Sequence, residues 1–221
     1  MVRAHIYSLA LAFCATTAAA QPAIVVPLGE EAKWQVLQYN RIPPHKVQFS
    51  KAGLQMSVER SAMPLVHPLP KPFATKRIRV KGRVEGKLNI PAGRQGEEGY
   101  DDYVFRVGLV EPGKRTLGSI QRRFVADWVR KLYELAPPGS GISGIHFFNV
   151  GAEHLGRKRQ HPLSDLIREE VVALQRTDGR FDFEHTLAQP LQTIAVWLSS
   201  DGDDTKSTFV VRVEAIELLA Q

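Results

Sequence analysis

From Ile194 to Leu218 the chain carries two strand-length apolar runs, Ile194-Ala-Val-Trp-Leu-Ser199 and Thr208-Phe-Val-Val-Arg-Val213, joined by the acidic turn Ser200-Asp-Gly-Asp-Asp-Thr205. Alternation with period two puts Phe209, Val211 and Val213 on one face of the second run. Ile216 and Leu218 then change parity, so a β-bulge near Ala215 is needed to keep both sets on the core side. Similar short runs recur at Trp34 to Tyr39, Lys46 to Phe49, Leu54 to Glu59, Arg77 to Glu85, Tyr103 to Val110, Ile145 to Val150, Val171 to Gln175 and Thr193 to Ser199. Pro43-Pro44, the stretch Pro64 to Pro72, Pro91-Ala-Gly93, Pro137-Pro-Gly139 and Asp201-Gly202 separate them. This is the pattern of a mostly β, antiparallel β-sandwich or barrel.

One segment breaks the pattern. Ile120, Phe124, Trp128, Leu132 and Leu135 fall at helical spacing, with Arg122, Arg123, Arg130 and Lys131 elsewhere on the wheel, and Pro137-Pro138 follows. The spacing predicts one inserted amphipathic helix over 117–135, packed on an edge or open end of the sandwich. A membrane-surface role, or a protein partner on that helix, is the sharper alternative for the same residues.

Residues 1–20 read as a secretory leader. A cationic head with Arg3, an apolar run from Ile6 to Ala15 and Ala18-Ala-Ala20 precede Gln21-Pro22, which predicts cleavage after Ala20 and a periplasmic or secreted address. The apolar run is too short for a membrane-spanning helix, and no second one follows. The single cysteine, Cys14, leaves with the leader, so the mature chain has no thiol chemistry and rests on its core. Residues 21–221 fit one β-sandwich domain. The whole chain carries a formal charge of +6, which favours anionic partners where the cations cluster.

Trp34, the strand Asp101-Asp-Tyr-Val-Phe-Arg-Val-Gly-Leu109 and the closing segment from Ile194 through Asp201-Gly-Asp-Asp-Thr205 together resemble an exported bacterial family, domain of unknown function 3047. The family's later turn resembles Thr-Asp-x-Asp-Asn-Thr; here Asp204 replaces the Asn. The tryptophan-rich strand expected before the Asp-Asp pair reads Ile78-Arg-Val-Lys81 instead. The resemblance implies a jelly-roll-like sandwich similar to galactose-binding and carbohydrate-binding modules.

Three constellations are candidates for function. Arg77, Arg79, Lys81 and Arg83 project from one strand face, with Ile78, Val80 and Val84 on the other. They need cross-strand acids, for which Glu59 or Glu111 could serve, or an anionic envelope polymer held by guanidinium forks. Nucleic acid fits poorly, because the address is external and no aromatic platform is interleaved. Five acids, Asp101 and Asp102 before a strand and Asp201, Asp203 and Asp204 in the turn, invite either a structural Ca²⁺ at Asp101, Asp201, Asp203 and Asp204, should the fold join the loops, or a buried pairing with Arg106. The third set, His45, His67, His146, His154, His161 and His185, shows no zinc-binding spacing, and no Gly-x-Ser-x-Gly elbow is present.

The leading expectation is a non-catalytic envelope protein that binds a saccharide or anionic glycan through Arg77, Arg79, Lys81, Arg83, Asp102, Arg106 and exposed aromatics such as Trp197 or Tyr100. The alternatives are a carbohydrate-active enzyme working through Asp102 with Asp203 or Glu184, and an interaction scaffold using the helix.

Overall fold

The computed structural model describes residues 23–162 and 164–221. The leader expected over residues 1–20, and its cleavage point, lie outside the described residues. In chain order the elements are β1 (Ala23–Val25), β2 (Gln35–Val36), β3 (Lys46–Ser50), β4 (Gly53–Glu59), β5 (Leu65–Lys87), β6 (Phe105–Gly113), α1 (Gln121–Phe124), α2 (Asp127–Glu134), β7 (Gly141–Gly151), β8 (Lys158–Gln160), β9 (Ile167–Leu174), β10 (Arg180–Ser199) and β11 (Thr208–Leu219).

The described strands join one sheet in the order β3-β4-β11-β5-β10-β6-β7-β9-β8, with β1 on β11 and β2 on β5. The two long strands fold this sheet into a sandwich. Residues 77–87 of β5 and 180–186 of β10 pair with each other and, through β11, with β4 and β3; this is the first layer. Residues 65–75 of β5 and 191–198 of β10 pair again and lead through β6 to β7, β9 and β8; this is the second. Between the halves the β5–β10 register shifts, from Thr186 to Leu191 and again from Thr193 to Ala195, and Thr75 and Thr193 share a buried 2.8 Å hydrogen bond.

The proline-rich stretch read as a break is therefore part of β5. Pro68, Pro70 and Pro72 lie where β5 has β10 on one side only, since β2 reaches just Leu65 and Val66 and β11 begins at Arg77. An edge tolerates a residue without an N–H. The sheet also departs from a purely antiparallel one, because β7 and β9 run parallel. Edge strand β8 is the cause: it pairs antiparallel with β9 and turns the chain back beside β7.

The main core lies between the layers. Met56, Val80, Val211 and Ile216 from the first meet Phe105, Val107, Phe148 and Val196 from the second, and the Phe105 and Phe181 rings stack at 5.3 Å. The bulge expected near Ala215 is present as a register shift between Val213 and Ala215, and Val213 and Ile216 are both fully buried.

A second core covers the opposite face of the second layer, where Leu132 and Tyr133 of α2 pack over Val66, Val110, Ile145, Phe147 and Trp197. The single helix expected over 117–135 is broken into two. Val125 and Ala126 are extended, with ψ of 152° and 149°. Asp127 restarts the helix at its N-terminal turn, where a carboxylate is favoured by the dipole, and pairs with Arg130 at 2.5 Å and Lys131 at 3.3 Å. The break lets Trp128 and Leu132 dock on the sheet while Ile120 and Phe124 stay outside, 72% and 83% exposed.

Candidate functional site

Alternation along β6, β7 and β10 builds the site on the covered face of the second layer. Gly108 lies between Phe147 and Trp197 in the ladder, and Arg106 lies between Asn149 and Ser199. A Cβ on Gly108 would come within 2.7 Å of the Phe147 ring and 2.9 Å of Ile145, so the missing side chain leaves room for both. Trp197 meets Phe147 edge-on at 5.9 Å and Trp128 at 6.2 Å, and Trp128 meets Tyr39 edge-on at 5.6 Å. These T-shaped contacts run as a chain of rings from the sheet out to the surface.

Tyr39 and Trp128 wall a cleft of about 730 Å³ whose remaining lining includes Leu132, Ile145 and Leu166 together with Arg115, His161, Ser164 and Asp165. That volume falls within the usual range for small-ligand pockets. Arg115 donates to both carboxylate oxygens of Asp165 at 2.8 Å. His161 lies 3.2 Å from Asp101, which links the rim to a buried ionic network.

Arg106 centres that network. Its guanidinium is 2.8 Å from Glu169 and 2.7 Å from Asp201, donates to the Asp101 carbonyl, and stacks over Tyr103 at 4.5 Å. Arg159 answers Glu169 at 2.6 Å and also binds the Asp101 carboxylate. Asp102 accepts hydrogen bonds from the Thr205 N–H at 2.8 Å and the Thr205 hydroxyl at 2.5 Å, tying the acidic turn to the start of β6.

Burial dominates the protonation of these acids. It pushes Asp201 up to about 7 against the opposing charge of Arg106, and, with Asp102 adding to it, pushes Asp203 up to about 6. Burial also raises Asp102, despite the Thr205 hydrogen bonds. At Asp101 burial acts in the same direction, but His161, Arg106 and Arg159 outweigh it and hold the carboxyl below its ordinary value. Burial and the Asp201 charge raise the Tyr39 phenol, so it stays protonated.

Besides Arg106 Nε, which lies 2.7 Å from Asp201 without hydrogen-bond geometry, the described residues leave Asn149 Nδ2 and Oδ1 and Trp197 Nε1 buried without a hydrogen-bond partner. Both side chains belong to the face that carries Arg106 and the aromatic chain.

The sequence candidates thus separate into two groups. Asp101, Asp102, Arg106, Asp201 and Asp203 come together, and exposed Asp204 borders them. The loops converge as a Ca²⁺ site would require, yet guanidinium groups supply the positive charge between Asp101 and Asp201. Among the described residues no group of three or more His, Cys, Asp or Glu side chains is arranged to hold a metal ion. Trp197 is 2% exposed, a correction to the expected surface aromatic: it backs Trp128 from beneath. Tyr100 is half-buried, with Arg94 over its ring.

The basic strand lies apart, on the outer face of the first layer. Glu184 holds Arg77 at 2.8 Å and also binds Arg79, which reaches Glu217 at 3.5 Å. Lys81 faces Asp182 at 3.7 Å and Arg83 faces Glu214 at 3.8 Å. The charges are answered from β10 and β11 rather than by Glu59 or Glu111, because those two strands flank β5 in the ladder.

Tyr39, Arg159, His161 and Glu169 were not singled out as a set by sequence pattern. For Arg159, His161 and Glu169 the only signal is an excess of polar residues around a three-residue edge strand, which ordinarily reads as loop, and Tyr39 stands at the end of the run from Trp34 with nothing to mark it.

No protein-family model and no curated protein matches the chain. Similar solved structures include a xylan-binding module, CBM15, at 10% identity over 91% of this chain and 99% of that one, with a TM-score of 0.39. A family 11 carbohydrate-binding module from Clostridium thermocellum is 10% identical over 91% of this chain and 97% of its own, with a TM-score of 0.45. The exoplasmic/lumenal domain of VIP36 is 7% identical over 90% of this chain and 88% of its own, with a TM-score of 0.39.

Proposed function

We propose that the protein is an exported envelope protein that binds a saccharide, without turning it over, in the cleft beside α2. The observation that carries this reading is the meeting of aromatic and polar walls in one opening. A sugar ring offers C–H faces that suit Tyr39 and Trp128 and hydroxyls that suit Arg115, His161 and Asp165. Trp197 and the Arg106 network act from behind, fixing the wall and the rim. The basic face of β5 contributes little to this binding, since Glu184, Glu217, Asp182 and Glu214 neutralise it. Of the two carboxylate pairs a glycosidase could use, Asp102 and Glu184 belong to different networks, one tied to Thr205 and one to Arg77 and Arg79, while Asp102 and Asp203 lie together but outside the lining of the cleft.

A glycan array probed with residues 21–221 tests this. Retention on a defined set of glycans, lost in Tyr39→Ala and Trp128→Ala and kept in the quadruple Ala variant of Arg77, Arg79, Lys81 and Arg83, supports the cleft. A blank array, or retention lost only in the quadruple variant, overturns it. Adding Ca²⁺ or a chelator to the buffer asks separately whether the acidic loops take a metal.

A further inference from the structure

The helix break leaves a feature that neither core uses. Ile120 and Phe124, one helical turn apart, stand 72% and 83% exposed on the projection that contains α1. Leu117 and Trp128 anchor the two ends of that projection in the second core. Exposed Arg122 and Arg123 lie on α1 between the two apolar residues in the chain, and among the described residues neither forms an ion pair with an acid. Arg122 is instead spent on backbone geometry, donating to the Leu117 carbonyl at 3.2 Å.

We propose that this projection docks the protein on an anionic phospholipid bilayer, with Ile120 and Phe124 entering the headgroup boundary and Arg122 and Arg123 lying against lipid phosphates. Exposed large apolar side chains beside unpaired cations are the composition of an interfacial anchor. A stable protein interface buries roughly 800 Å² on each partner, which two side chains on a four-residue helix do not supply. With only two apolar side chains to bury, the contact is superficial and reversible. The inference is independent of what the cleft binds.

The test is co-sedimentation with vesicles of equimolar phosphatidylglycerol and phosphatidylcholine, against vesicles of phosphatidylcholine alone. The protein used is residues 21–221, which contains every described strand and both cores and omits the apolar leader that would insert by itself. Partitioning should favour the anionic vesicles by about tenfold or more and fall with salt. The double variant Ile120→Ser with Phe124→Ser should lose about tenfold or more, and Arg122→Gln with Arg123→Gln a similar factor. Melting temperatures should not move, because both pairs lie outside the cores. Equal partitioning onto the two vesicle types, or unchanged partitioning of the apolar variant, overturns the proposal. So does loss of a co-purifying protein in that variant while the parent chain fails to bind vesicles.

Discussion

Arg106 and Arg159 share one buried carboxylate: Glu169, its side chain 2% exposed, lies 2.8 Å from the first guanidinium and 2.6 Å from the second. The two arginines come from β6 and β8, and the acid from β9, so the contact joins the sheet interior to its edge. Replacing Arg106 with Met leaves Asp201 without its cation and Glu169 with Arg159 alone, and breaking a buried pair from one side costs about 3–5 kcal/mol. Chemical denaturation should show a loss of that order. Arg106→Lys should recover only part of it, because an ammonium cannot replace a fork that serves Glu169, Asp201 and the Asp101 carbonyl together. A loss too small to measure in the Met variant would mean that the network is not a stabilising unit.

His45 and Asp201 should give stability opposite pH slopes. His45 is buried, with Nε2 2.6 Å from the Ser200 carbonyl and Nδ1 2.8 Å from the Ser61 hydroxyl, and burial holds it down at about 4 against that carbonyl contact. The unfolded chain takes up this proton near the ordinary 6.5 and the folded one does not. Stability from His45 is therefore lost as pH falls from about 6.5 to about 4, on the order of 3 kcal/mol in total. Asp201 runs the other way. Its folded value of about 7 lies above the ordinary 3.8, so the folded state binds the proton first and stability falls as pH rises across that window. Urea midpoints measured from about pH 4 to about pH 8 check both. His45→Gln should lose its acid-side decline, and Asp201→Asn its decline toward neutral pH. Wild-type slopes in both variants would refute the pairing.

What the sequence reveals here follows from how local each signal is. The bulge at Ala215 and the buried face of β11 were legible because alternation within one strand suffices to place them. The convergence of Asp101 with Asp201 was legible only as a condition, since strand order decides it. Glu169 and Arg159 were hidden for a related reason. They are polar residues in a short edge hairpin, and only the parallel pairing of β9 with β7 carries them beneath the Arg106 network. The prolines of β5 misled because a run of them reads as a break, whereas an edge segment tolerates them. The helix misled because its spacing is regular across a break, and the extended Val125 and Ala126 leave no mark on that periodicity.

Trp128 covers Trp197, so removing it should change the optical signature of a residue it merely touches. In Trp128→Ala the buried Trp197 loses its edge-on neighbour at 6.2 Å and gains access to water. Emission should shift to the red and near-ultraviolet circular dichroism should weaken, while the far-ultraviolet spectrum keeps its β character. Gly108→Ala probes the same stack from below. A methyl 2.7 Å from the Phe147 ring and 2.9 Å from Ile145 Cγ2 overpacks the site, at a cost of about 1–3 kcal/mol in denaturant unfolding. An unshifted spectrum in the first variant, or unchanged stability in the second, would show that these rings are not packed as described.

Glu184 separates charge from stability on the opposite face. It faces Arg77 at 2.8 Å, also binds Arg79, and is itself partly exposed, at 39% of its side-chain area. Its carboxyl is held below the ordinary range by hydrogen bonds from Arg79 and Arg77. Exposed ion pairs of this kind contribute little to folding, because water and salt screen them and two long side chains must be ordered to make them. Glu184→Gln should therefore leave the melting temperature where it is, yet leave Arg77 without an acid and Arg79 with Glu217 alone. Retention on a sulfated-polysaccharide column should rise, with elution moving to higher salt. If the parent chain already binds such a column as tightly as the variant, the cations of β5 are available in spite of their partners, and this face must be considered a binding surface in its own right.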